Sequence, residues 1–197
     1  MQNLTNSKHP YHWHHVYKRK RQRANNISTL QIVVGQTIAL SGSLLAGYIL
    51  ELNKEAIVVF AGAFLLLPGV VDLAASITGA MCAKINHLLE AKKKLRTVLL
   101  SSILFAFLLS VTSGLIVGIV GGTIGSLIFG SSFVQVCKLA LITMIAVGLI
   151  SYPCMSLLTL LIKKLGFDPD NIIGPVETGF TDAFTALTVA VLVRILI

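Results

Sequence analysis

The chain has 197 residues, 55% of them hydrophobic and only 12% charged, with a mean hydropathy of +0.84; too little polar surface remains to cover a soluble fold, a secreted disulfide scaffold or a disordered chain. The net charge of +8 does not indicate a nucleic-acid partner, because the lysines and arginines gather at the borders of apolar stretches. Cys82, Cys137 and Cys154 are scattered without CxxC spacing, which excludes a thiolate metal site and a disulfide framework.

Residues 1–27 are polar and basic, with Lys18, Arg19, Lys20, Arg21 and Arg23 in close succession. They lack the apolar core and small-residue cleavage site of a secretory signal, and are predicted to form a disordered cytoplasmic tail. The histidines His9, His12, His14 and His15 belong to that tail, with no packed frame to hold them in a metal geometry. Residues 28–50 read as a first membrane span of about 35 Å, enough for a ~30 Å hydrocarbon core. Its Gln31, Gln36, Ser41, Gly42, Ser43 and Gly47 suit contact with other helices. A second span, 56–83, contains Pro68-Gly69 and is predicted to kink or unwind there, since proline removes a donor and clashes with the preceding turn.

The segment 84–96 carries Lys84, Lys92, Lys93, Lys94 and Arg96 and is predicted to lie at the cytoplasmic surface. Residues 97–120 form a third span, and the uncharged glycine- and serine-rich stretch 121–132 is predicted to be a turn. A fourth span, 133–162, contains Pro153. After a loop at 163–171 the fifth span runs over 172–197. The domain plan is thus a tail, 1–27, and a five-helix, all-α transmembrane module, 28–197. Basic residues accumulate in the tail, in 84–96 and at Lys163 and Lys164, whereas Lys54 and Arg194 stand at the other ends of the spans. Lysine and arginine near span ends are retained on the cytoplasmic side, so the N-terminus is predicted inside, the C-terminus outside, and the location is the plasma membrane.

Ionisable groups within spans cost ~2.5–3.5 kcal/mol at the helix centre on insertion scales. Asp182 falls near the middle of the last span and Asp72 four residues after Pro68. Pro175, Thr178, Asp182, Thr185 and Val189 recur at three- and four-residue spacing, with Thr181 beside them, so a polar stripe is predicted along the last helix. Carboxylate and hydroxyl oxygens without imidazole or thiolate suit a hard cation such as Mg2+. Asp182, Thr178, Thr181 and Asp72 are therefore the candidate metal-facing residues. Glu177, Ser76 and Thr185 are candidates for lining the pore or admitting ions; the alternative for Glu177 is an interfacial carboxylate solvated by headgroup water, and for Asp72 and Asp182 a carboxylate that only glues helices together through Thr or Ser hydroxyls.

The segment Gly166-Phe167-Asp168-Pro169-Asp170-Asn171, with Pro175, Thr178 and Asp182 following, resembles the last loop and last helix of the MgtE family of divalent-cation transporters, with a DPDN loop ahead of P-x-x-T-x-x-x-D. Pro68 and Lys84 match a second-helix motif of that family, while Asp72, Ala75 and Ser76 stand where glycine, glycine and asparagine are usual. The resemblance implies a five-helix module that pairs with a second copy around a central pore faced by Asp182 of each copy. With 27 residues ahead of the first span, no cytoplasmic sensor domain of the bacterial type is expected.

The predicted function is a divalent-cation transporter or channel, for Mg2+ above all, working as a homodimer in the bilayer. Mg2+ is its cargo, with no cofactor, no catalytic residue and no nucleic-acid partner. Two alternatives remain: a structural or heterodimeric subunit of a membrane complex, and a metal-dependent membrane enzyme, for which Asp168 and Asp170 are the nearest acid pair.

Overall fold

The computed structural model describes the backbone of residues 10–196 and the side chains of 28–196, Ala61 excepted. All the regular structure described is helical: α1 Pro10–Leu52, α2 Lys54–Val59, α3 Ala61–Glu90, α4 Leu95–Phe129, α5 Phe133–Lys164 and α6 Pro169–Leu196. Five stretches are long and apolar enough to cross a membrane, Ser28–Leu52, Gly62–Glu90, Leu95–Phe129, Phe133–Lys164 and Pro169–Leu196, so the chain is a multi-pass membrane protein. Helical backbone in α1 reaches back through the basic segment to Pro10. Of the tail predicted to be disordered, 1–27, residues 1–9 and all the side chains, those of the histidine cluster included, lie outside the described residues.

Two local expectations are corrected. Pro68 lies inside an uninterrupted α3, so the helix does not unwind there; the chain breaks instead at Phe60, whose φ of −102° and ψ of 73° separate α2 from α3. A proline tolerated within a membrane helix leaves one carbonyl without its donor, and neighbouring helices absorb that loss. The stretch 121–132 is not a turn: α4 continues to Phe129 and only 130–132 connect it to α5. Gly130 ends the helix with φ of 64°, a left-handed conformation that glycine adopts without a Cβ clash, and the Ser131 N–H folds back onto the Gly125 carbonyl at 3.1 Å.

The glycines of α4 stay helical because they are its contact surface. Ser102, Ala106, Ser110, Gly114 and Gly118, four residues apart, form a buried stripe of small residues. A Cβ on Gly114 would lie 2.9 Å from the Met144 Cβ, and one on Gly118 would lie 3.1 Å from the Cys137 Cα, so α4 and α5 meet nearly backbone to backbone. Lipid tails are as apolar as leucine, so helices in a bilayer associate through such close van der Waals packing and cross-helix hydrogen bonds. Ser110 donates to the Met144 carbonyl at 2.8 Å. Large side chains such as Leu100, Leu104 and Leu108 cover the outer face.

Helices α3, α4, α5 and α6 pack around a core that includes Leu66, Val70, Ile85, Met144, Val147 and Val193. Helix α1 lies outside this bundle and rests mainly on α6. Gly35, Ala39 and Ala46 are its buried positions, and a Cβ on Gly42 would overlap the Gly179 carbonyl. At the basic end of the bundle Asn86 ties three helices together. Its Nδ2 donates to Asp170 Oδ1 at 3.0 Å, and Lys163 Nζ donates to its Oδ1 at 2.7 Å and its carbonyl at 3.2 Å.

Candidate functional site

The Asp168-Pro169-Asp170-Asn171 segment starts α6 for a chemical reason. Asp168 Oδ1 accepts the Asp170 N–H at 3.1 Å, the bond of an N-cap residue to an otherwise orphaned amide. Pro169 follows as the first helical residue, where its missing N–H costs nothing. Asn171 Nδ2 donates to Asp168 Oδ2 and to Gln31 Oε1, each at 3.3 Å, which also fixes α1 to the start of α6.

From that start, α6 carries the predicted stripe, and the structure divides it between two neighbours. Thr181, Thr185 and Val189 are buried. Pro175 packs on Gly35 of α1, and Asp182, half-buried, turns towards α1, where Ser43 donates its hydroxyl to Asp182 Oδ2 at 2.7 Å. Thr178 is exposed, with its hydroxyl bonded back to the Gly174 carbonyl at 3.0 Å.

Glu177 is only 5% exposed. Its Oε1 fills the place a side chain on Gly79 of α3 would take, since a Cβ there would lie 2.9 Å from that oxygen. Its Oε2 is sealed from solvent without a hydrogen-bond partner, as are the hydroxyls of Thr181, Thr185 and Tyr152.

Asp72 and Ser76 are exposed on α3, one turn apart and on the helix face that continues to Gly79. No hydrogen bond or ion pair joins Asp72 to α6 among the described residues. The structure therefore brings Glu177 to Gly79 and Asp182 to Ser43, and leaves Asp72, Ser76 and Thr178 facing outwards.

The charge pattern within the spans is one-sided. Ion pairs among the described residues are Lys54 with Glu51 at 2.5 Å and Lys163 with Glu90 at 3.6 Å. Lys84 instead lies over the Phe105 ring, 4.5 Å from its centre. Among the described residues, Asp72, Asp182 and Glu177 thus have no lysine or arginine ion-pair partner. No three of the described His, Cys, Asp or Glu side chains gather at one point that would hold a metal, so a single chain presents its carboxylates one at a time.

Gly79 and Asn86 were not singled out by sequence reasoning. The available signal for Asn86 was an amide beside Ile85 and near Cys82 and Leu89 on an otherwise apolar helix face; Gly79 carries no chemical signal apart from its lack of a side chain.

No curated protein and no solved structure matches the chain. A sequence model described as MgtE, divalent cation transporter, matches residues 67–192, which take in most of α3, all of α4 and α5, and nearly all of α6. That stretch contains Pro68, Asp72, the Asp168-Pro169-Asp170-Asn171 start of α6 and Asp182. With well over half of its length matched by the model of a transporter family, and with five helices able to cross a bilayer, the chain belongs to the MgtE family of divalent cation transporters.

Proposed function

We infer that the chain carries Mg2+ across the plasma membrane as a homodimer, with the hydrated ion passing between the α3 and α6 faces of two copies. The basic loops and the N-terminus face the cytoplasm in this reading. The observation that carries it is the set of carboxylates within the spans that have no basic ion-pair partner among the described residues. Each such group costs ~2.5–3.5 kcal/mol near a helix centre on insertion scales, and a mobile cation offsets that cost where no fixed one is present.

Asp72, Ser76 and Thr178 add a second support. They lie on the outward surface of α3 and α6, where lipid would leave the Asp72 carboxylate and the Ser76 hydroxyl without a solvating partner. A second copy covering that face places them, with Asp182, along a shared aqueous path. Their oxygens suit an ion that keeps several of its waters. Thr181 and Thr185 stand on the core side of α6 with Glu177, away from this path.

Cross-linking of a Thr178→Cys chain lacking Cys82, Cys137 and Cys154 tests the pairing. A short bifunctional thiol reagent is expected to join two copies in proteoliposomes and to slow Mg2+ influx. A chain that stays monomeric while transporting, or that transports only with a different polypeptide, contradicts the homodimer.

A further inference from the structure

Helices α3 and α4, joined by residues 91–94, leave an open seam between them near the basic end. Its walls include Ile77, Ala80 and Lys84 of α3 and Phe105, Ala106 and Leu109 of α4. The notch they enclose is about 40 Å³, little more than one water at about 30 Å³, so it suits a chain lying along the seam rather than a whole ligand held in a pocket. Phe105 is 57% exposed and Leu109 40%, on a helix able to cross a membrane. Ser102 also lines the notch but is fully buried. Among the lining residues, the exposed Lys84 is thus the one polar side chain that an incoming molecule can reach.

The height of that lysine decides what it meets. Helix α3 has 30 residues, about 45 Å at 1.5 Å per residue, against a hydrocarbon core of about 30 Å. Centred in the bilayer, it extends about 7 Å beyond the core at each end. Lys84 lies about 9 Å before the end of the helix at Glu90, near the level where hydrocarbon gives way to headgroups. It has no ion pair among the described residues, and its Nζ sits 4.5 Å from the centre of the Phe105 ring. A ring face attracts an ammonium but leaves its positive charge unneutralised. Lys92, Lys93, Lys94 and Arg96, just beyond α3, likewise have no ion pair among the described residues and add positive potential at the same end.

We propose that this seam binds an anionic phospholipid, with its phosphate on the Lys84 ammonium and an acyl chain along Ile77, Ala80, Ala106 and Leu109. Basic sites between membrane helices suit anionic headgroups, and the apolar walls suit the tail. A second cleft between α3 and α4, about 310 Å³ with Leu66, Ile116 and Val120 in its wall, has no charged residue in its lining and is expected to take acyl chains whatever their headgroup. Twelve residues at about 100° each set Lys84 about 120° around α3 from Asp72. The lipid and the partner copy inferred above therefore occupy different faces, and the lipid site does not depend on the pairing.

The test reads tryptophan fluorescence in bilayers that mix phosphatidylglycerol and phosphatidylcholine of the same acyl chains, with one of the two brominated at a time. The reporter is Phe105→Trp in a chain whose one native tryptophan is removed by Trp13→Phe. Quenching is expected to show phosphatidylglycerol bound about fivefold more tightly than phosphatidylcholine, the effect of one lysine near an anionic headgroup. Lys84→Gln is expected to abolish that preference and Lys84→Arg to keep it. A reporter introduced as Ile116→Trp, at the uncharged cleft, is expected to show no preference. Equal quenching by the two lipids at position 105, a preference unchanged by Lys84→Gln, or an equal preference at position 116 would each overturn the proposal. So would a reporter at 105 shielded from both lipids, the result of a second copy of the chain covering the seam.

Discussion

Ser43 on α1 donates its hydroxyl hydrogen to Asp182 Oδ2 on α6 at 2.7 Å, so the candidate ion-facing carboxylate is oriented by a helix that lies outside the main bundle. Cross-helix hydrogen bonds of this kind contribute about 0.6–1.7 kcal/mol in membranes. Ser43→Ala is therefore expected to weaken the apparent Mg2+ affinity roughly three- to twentyfold, while Ser43→Thr, which keeps the hydroxyl, stays near the parent value. The concentration dependence of Mg2+ flux into proteoliposomes checks this.

The contact beneath that hydrogen bond tolerates no added bulk. A Cβ on Gly179 would lie 2.7 Å from the Ala39 Cα and 2.8 Å from its carbonyl oxygen, so the backbones would have to part. Gly179→Val is expected to destabilise the protein by about 1–3 kcal/mol, as overpacking does. Leu40→Val, at an exposed position on the same helix, is expected to leave stability nearly unchanged. Unfolding of the two variants in mixed detergent micelles separates the outcomes.

Asp168 is expected to act on stability. Its N-cap bond to Asp170 is worth about 1 kcal/mol by the usual cost of replacing an N-cap with alanine. Asp168→Ala should lose that amount and Asp168→Asn, itself a good cap, only a fraction of it. The same unfolding measurement compares the two.

The inferred orientation makes a separate prediction. A cysteine introduced as Lys93→Cys in the turn between α3 and α4 should react with an impermeant thiol reagent only from the cytoplasmic side. One introduced as Lys54→Cys should react only from the opposite side. Labelling intact cells and opened membranes reads both.

Much of this arrangement is legible from composition and spacing. The five spans follow from length and hydropathy, but the last helix begins at Pro169, inside the predicted loop 163–171, because Asp168 caps it and proline suits its first position. The misread segments have physical reasons. Glycines at 121, 122 and 125 resemble a flexible connection in sequence, yet they are contact points: Gly121 faces Leu66, and Gly122 faces Phe133 and Cys137. Pro68 suggested a break because the sequence does not show whether neighbours absorb its missing donor. The polar stripe of the last helix was seen as one surface, since helical spacing tells which side chains share a face but not where one neighbour ends and the next begins. Glu177, Thr181 and Thr185 consequently belong to the core side, and Asp182 to the side of α1.

The central claim is that negative charge at Asp182 carries the ion. Purified Asp182→Asn protein, nearly equal in volume and still able to accept the Ser43 hydrogen bond, should be compared with the parent for Mg2+ influx in proteoliposomes at matched incorporation. The expected result is influx reduced to the level of empty vesicles with the fold intact; influx at the parent rate would contradict the claim.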